Sequence, residues 1–186
     1  MRVFALAPLI VLLAAGSAHA SAALTGKAAD LYALALRDGP YTSTFQSVST
    51  EVGPTSDNKS FYVRWQRSER PKWWLVMLHG AGNPAKGYAT DEFSTWLPYI
   101  KDRDIGVIAL QWWFGTGSAT SDFYTPDEMY REVSRLLDAL NVAPGTVMLE
   151  GFSRGSANSY AVKAIDAGLG KNYFALTVAS SGGVSL

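Results

Sequence analysis

Ser153 carries the clearest chemistry in the sequence, because its neighbours fit a turn that lifts a serine hydroxyl above a sheet. Residues 151–155 read G-F-S-R-G, follow an apolar run at 146–149 and precede a helix predicted at 156–167. In such a strand–turn–helix, the glycines on either side of the serine avoid a clash, and the helix N-terminus favours negative charge beside it. We predict that Ser153 is a nucleophile; a glycine-rich turn with an incidental serine is the less favoured alternative.

A second glycine-rich segment, His79-Gly80-Ala81-Gly82, comes directly after the apolar run at 73–78. Residues 80–86 loosely match the phosphate-loop pattern G-x-x-x-x-G-K. That interpretation fails, because Ala85 occupies the second glycine position and Gly87 stands where a serine or threonine would bind magnesium. Both glycine-rich segments lie at the carboxyl ends of predicted strands, where parallel sheets place their chemistry.

Together, H-G-A-G at 79–82 and G-F-S-R-G-S at 151–156 resemble the α/β-hydrolase superfamily, most of all its secreted esterases and polyhydroxyalkanoate-depolymerase-like proteins. The resemblance covers residues 73–179. It implies an acyl-enzyme on Ser153 and an oxyanion hole formed by the backbone amides of Ala81 and Arg154. The glycines that would shape the two loops are Gly80, Gly82, Gly151 and Gly155.

The resemblance also implies a catalytic acid and then a histidine after the nucleophile in chain order. The sequence has two histidines, His19 and His79, and both precede Ser153. We expect His79 to brace the oxyanion loop by hydrogen bonding, and Asp166 to be a solvated surface charge. Each further helix-plus-strand unit takes roughly 25 residues. We therefore expect about 50 or more residues, with the C-terminal strands, to be missing and the chain as given to be inactive.

The rest of the sequence predicts the scaffold. Short apolar runs alternate with amphipathic stretches, which predicts an α/β fold: a mostly parallel β-sheet with helices on both faces. The clearest helix begins after the capping residue Thr125, with Pro126 at its first position and Glu128 three residues after the cap. Further helices are predicted at 24–37, 90–100 and 156–167, and strands at 42–52, 61–66, 73–78, 106–110, 146–149 and 173–179.

Residues 1–20 have the features of a signal peptide: a positively charged start, an apolar run and the A-x-A sequence Ala18-His19-Ala20. The apolar run is shorter than the stretch of about 18–20 residues that crosses a membrane. We therefore expect cleavage after Ala20, a secreted or periplasmic protein without a membrane span, and one incomplete hydrolase domain over residues 21–186.

Composition excludes several classes of function. Sixteen basic residues balance 16 acidic ones, so no strong field favours nucleic acid. The absence of cysteine excludes disulfides, thiol chemistry and cysteine-ligated metal. We expect no cofactor and no metal.

Aromatic residues give the main indication of a substrate. Trp112 and Trp113 follow the strand predicted at 106–110 and could wall a pocket for acyl or aryl ester groups, although packing is as common at such a position. The leading hypothesis is a hydrolase of small-molecule or polymeric carboxylic esters. A serine peptidase of the same fold and a non-catalytic binding module that keeps the hydrolase scaffold are the alternatives.

Overall fold

The structure, a computed structural model, describes residues 23–82 and 87–182. The predicted signal peptide lies outside these residues. Within the described ranges, no helix is long and apolar enough to cross a membrane. The strands are β1 (Glu51–Pro54), β2 (Phe61–Gln66), β3 (Trp73–Leu78), β4 (Ile105–Leu110), β5 (Val147–Phe152) and β6 (Phe174–Ser180), and the helices are α1 (Gly26–Asp38), α2 (Thr42–Gln46), α3 (Ala89–Ile100), α4 (Pro126–Ala139) and α5 (Arg154–Gly168).

The strands form one six-stranded sheet in the order β1-β2-β4-β3-β5-β6. The pairs β1–β2 and β2–β4 are antiparallel, whereas the remaining three pairs are parallel. In both β3 and β4, every residue after the first is buried, as in strands that are covered on both faces. The predicted α/β class with a mostly parallel sheet is therefore confirmed.

The chain changes direction within the sheet at β3, and this positions the candidate site. The connection through α3 leads from β3 to its neighbour β4, whereas α4 carries the chain back past β3 to β5. Because such crossovers are right-handed, α3 lies on one face of the sheet and α4 and α5 lie on the other. The loops after β3 and β5 therefore leave neighbouring strand ends towards opposite faces of the sheet. Open α/β sheets bind ligands in the crevice at such a point.

One predicted element is wrong: residues 42–52 are not a single strand. Thr42–Gln46 forms α2, and only Glu51–Pro54 pairs in the sheet, as its edge strand β1. The ring of Phe45 packs edge-on against Tyr32 and Phe93, so tertiary contacts override the β propensity of the local sequence. The other predicted elements are present, with ends shifted by at most three residues.

Asp166 corrects a second expectation, because it is 2% exposed rather than a solvated surface charge. Its carboxylate accepts hydrogen bonds from the hydroxyl of Tyr130 at 3.1 Å and from the amide of Phe174 at 3.2 Å. These bonds offset the cost of burying the carboxylate. Asp166 thus joins α5 to α4 and β6, which is a structural role.

Candidate active site

Ser153 lies between β5 and α5, at the strand–helix junction that the sequence predicts. Its backbone has φ 50° and ψ −115°, a conformation that costs a residue with a side chain about 1–3 kcal/mol. Two hydrogen bonds hold it there: the Ser153 amide donates to the carbonyl of Ser180 at 2.7 Å, and its carbonyl accepts from the amide of Ser156 at 2.9 Å. The side chain is half-buried and lines a cavity.

Close backbone contacts explain the two glycines of this turn. A Cβ on Gly151 would collide with the carbonyl of Gly155, and a Cβ on Gly155 would collide with the carbonyl of Leu78 in β3. Backbone atoms cannot move aside as the end of a long side chain can. The glycines therefore let α5 begin directly against the ends of β5 and β3, which brings its first amides beside Ser153.

The side chain of Ser156 links the turn at Ser153 to β6. Its hydroxyl oxygen is buried and lies 2.7 Å from the carbonyl oxygens of both Gly151 and Ser180. A hydroxyl has one proton, so it donates to one of these carbonyls at a time. Sequence analysis assigned Ser156 only to a helix, because the approach of β6 to the turn becomes visible only in the fold.

His79 is held by both ring nitrogens and is not placed as a base for Ser153. Nε2 accepts from the amide of Trp112 at 3.1 Å, which puts the ring proton on Nδ1, and Nδ1 donates to the carbonyl of Gly80 at 2.8 Å. Burial lowers the pKa of His79 to about 3. The ring is therefore neutral near pH 7, and it braces the loop as expected.

Trp112 and Trp113 lie in the core instead of walling the pocket. Both are 1% exposed, and neither lines the cavity at Ser153. Trp112 donates its Nε1–H to the carbonyl of His79 at 2.9 Å and stacks on the imidazole, with ring centroids 5.2 Å apart. Trp113 packs so closely on Gly82 that a Cβ there would enter the indole. The two indoles therefore support the loop from the core side.

The loops that carry Ala81 and Arg154 leave neighbouring strands, because Leu78 of β3 pairs with Gly151 of β5. A Cβ on Gly80 would lie 3.4 Å from the Cβ of Ser153, so the first loop is packed against the nucleophile. The guanidinium of Arg154 lies 3.9 Å from the ring centroid of Phe123. Convergence of the Ala81 and Arg154 amides on one oxyanion position stays a prediction.

A cavity of about 450 Å³ opens at Ser153. This volume is within the range of about 300–1,000 Å³ that is typical of small-molecule sites. It is lined by the two glycine-rich loops, including Ala81 and Phe152, and by Tyr88, Asp91 and Glu92 at the start of α3. Among the described residues, no group of three or more histidine, aspartate or glutamate side chains is placed to hold a metal ion.

No family model and no curated protein matches the sequence. Solved structures do match. A bacterial heroin esterase superposes with a TM-score of 0.52 at 17% identity, over 83% of this chain and 53% of that chain. A hyperthermophilic esterase from the archaeon Pyrobaculum calidifontis superposes with a TM-score of 0.52 at 14% identity, over 70% of this chain and 43% of that chain. This chain has the α/β-hydrolase fold. It spans about half the length of these two structures.

Sequence analysis missed three carboxyl groups in this α/β-hydrolase fold, two at the cavity that Ser153 lines and one at a cavity next to it. Burial raises the pKa of Asp91 and of Glu92, which both line the cavity. Glu150 is buried in β5, three residues before Ser153, and burial raises its pKa as well. Glu150 could have been noticed in the sequence because it is an acidic residue within the otherwise apolar strand Val147–Phe152. The packing of α3 on the sheet, which brings Asp91 and Glu92 to the cavity, was not predictable.

Proposed function

We propose that this chain carries the nucleophile of a serine hydrolase that cleaves carboxylic esters through an acyl-enzyme on Ser153. The observation that carries the proposal is the position of Ser153: a strained strand–helix turn, packed against the glycine-rich loop of the adjacent strand and open to a cavity. Both structures compared above are named esterases, which supports the choice of ester over peptide bond.

In the proposed reaction, Ser153 Oγ attacks the acyl carbon and the carbonyl oxygen becomes an oxyanion. The amides of Ala81 and Arg154 donate hydrogen bonds to that oxygen, and each such donor contributes about 3–4 kcal/mol in comparable sites. The alcohol then leaves with a proton, which gives an ester between the acyl group and Ser153. Water attacks this ester, the acid is released and Ser153 regains its proton.

The serine must lose its proton to a base as it attacks, and His79 does not supply that base. Both of its ring nitrogens are engaged, and the ring is stacked against Trp112 in the core. The second histidine of the sequence, His19, lies outside the described residues. We therefore propose that this chain alone turns over slowly, since a serine hydroxyl is a weak nucleophile without a base.

Imidazole in solution can replace a missing base, and this tests the proposal. Release of p-nitrophenol from p-nitrophenyl acetate should rise with imidazole concentration more steeply for the parent chain than for Ser153→Ala. Subtracting the variant removes the direct attack of imidazole on the ester. Equal slopes for the two proteins would contradict the proposal and favour a non-catalytic binding module. Faster Ser153-dependent cleavage of the matched p-nitroanilide would favour a peptidase.

A further inference from the structure

A second cavity, of about 430 Å³, adjoins the cavity at Ser153. The two cavities share the lining residues Glu92, Thr95 and Phe152, so they lie side by side along α3. The second cavity is also lined by two aromatic side chains of α3, Trp96 and Tyr99, and by Glu150 of β5. The proposed ester hydrolysis gives no role to Trp96, Tyr99 or Glu150.

Glu150 has a buried oxygen without a partner. The residue is 1% exposed, and its Oε2 accepts no hydrogen bond from any described residue. A buried polar group left in this state costs about 1–3 kcal/mol. Since Glu150 lines the second cavity, a ligand bound there could supply the missing donor.

Glu92 lines the same cavity from α3, and its Oε1 accepts a hydrogen bond from the indole of Trp96 at 3.1 Å. Burial raises the pKa of Glu92 and of Glu150, and the charge of Glu92 and a hydrogen bond between the two carboxyl groups raise the pKa of Glu150 further. Two carboxyl groups in one buried space cannot both ionise easily. A cation placed between them would favour ionisation of both.

We propose that the second cavity binds a primary ammonium group between Glu92 and Glu150. An ammonium group brings N–H donors for the unpartnered Oε2 and a charge that matches the two carboxylates. The rings of Trp96, Tyr99 and Phe152 line the same space, and aromatic faces attract cations. A quaternary ammonium lacks the N–H donor that Glu150 needs, so it fits the site less well.

The position of the site indicates a class of substrate, and this step rests on the proposed hydrolase function. Ser153 lies three positions after Glu150 in the sequence, which is about 10 Å along an extended backbone. An acyl chain that ends in an ammonium group could therefore place its carbonyl at Ser153 and its nitrogen at Glu150. The substrate class is esters of ω-amino acids.

Binding of hexylammonium chloride, followed by tryptophan fluorescence, tests the site without any catalysis. The indole of Trp96 contacts Glu92, so we expect a saturable change in emission that disappears in Trp96→Phe. Glu150→Gln keeps the shape of the side chain and should weaken binding at least tenfold. Asp102→Asn is the matched control, because Asp102 has a side chain that is 82% exposed and pairs with Arg67 away from both cavities. Far-UV circular dichroism establishes that each variant is folded.

The affinity for hexylammonium should also increase between pH 6 and pH 8. Binding favours the ionised carboxyls, and release of one proton changes the apparent affinity by up to about tenfold per pH unit. The other titratable groups around the pair are Asp91 and Tyr99 of α3 and, at the first cavity, Tyr41 and Tyr88; the described residues of β6 contribute none. The pH dependence should become smaller in the Glu150→Gln variant, because Glu92 is then the carboxyl of the pair that is left to titrate. An unchanged pH dependence would count against the assignment.

Three results would overturn the ammonium site: equal affinity for hexan-1-ol, equal affinity for hexyltrimethylammonium, or unchanged binding by Glu150→Gln. The first would show an apolar groove only, and the second would show that no N–H donor is required. Failure here leaves the hydrolase proposal intact, because acylation of Ser153 is measured separately. If both hold, p-nitrophenyl 6-aminohexanoate should acylate Ser153 faster than p-nitrophenyl heptanoate, and Glu150→Gln should remove the difference.

Discussion

Replacing Gly155 with alanine tests whether backbone contact fixes the turn that presents Ser153. The added Cβ would collide with the carbonyl of Leu78 and lie 2.6 Å from the carbonyl oxygen of His79. Overpacking of this kind costs about 1–3 kcal/mol, and the better helix propensity of alanine returns about 1 kcal/mol at most. Because the added Cβ meets backbone atoms of two residues, the cost lies at the upper end of that range, about 3 kcal/mol, and we expect a net loss of about 2 kcal/mol in the free energy of unfolding. For a chain of this size, the corresponding fall in Tm is about 4–8 °C.

Gly168→Ala is the matched control, because it lies in the same helix, α5, and its added Cβ would meet nothing within 4 Å. Alanine there should stabilise the protein by up to about 1 kcal/mol. Urea unfolding of both variants, followed by circular dichroism, measures the difference. The reasoning is refuted if Gly155→Ala unfolds at the same urea concentration as the parent, or if both alanines shift the midpoint in the same direction by the same amount.

Three further predictions concern the oxyanion loop, α4 and the N-terminus. Burial lowers the pKa of His79 in the folded protein to about 3, whereas a histidine in the unfolded chain binds a proton near pH 6.5. The free energy of unfolding therefore falls as the pH drops from 6.5 towards 3, by up to about 1.4 kcal/mol per pH unit. Urea unfolding should show this fall between pH 6.5 and 4.5 for the parent but less of it for His79→Gln, and parallel curves would count against it. Thr125 Oγ1 accepts from the amide of Glu128 at 3.3 Å, and the Thr125 amide donates to the Glu128 carboxylate at 2.8 Å. Thr125→Ala should therefore cost about 1 kcal/mol in urea unfolding. Ser121→Ala, at an exposed position of the short 3-10 helix Thr120–Asp122, should cost much less; equal losses would argue against the cap. Mass spectrometry of the exported protein should find Ser21 at the N-terminus, and retention of Met1 would show that residues 1–20 are not a cleaved signal peptide.

The turn at Ser153 was predictable because its constraints are local. A side chain at position 151 or 155 would collide with backbone atoms of the turn or of the adjacent strand, so both positions require glycine. The sequence pattern shows this requirement directly. The helix after Thr125 was predictable for the same reason, since its cap is formed by residues three positions apart. Such features depend little on how distant elements pack.

The features that could not be predicted depend on which elements become neighbours. Asp166 is buried because α4 and β6 bring Tyr130 and Phe174 to it, and neither contact is visible in the pattern of α5. Glu92 and Glu150 likewise line one cavity only because of the way α3 packs on the sheet. Trp112 was assigned from its place at a strand end, but the packing of its indole on His79 decides its role.

Acylation of Ser153 is the most direct test of the central claim that this residue is a positioned nucleophile. Trypsin cleavage after Arg135 and Arg154 gives a peptide, residues 136–154, in which Ser153 is the one serine. After incubation with p-nitrophenyl acetate and imidazole, mass spectrometry should find the acetyl group on Ser153 well before it reaches the exposed Ser121. Acetylation of Ser153 no faster than that of Ser121 would contradict the account.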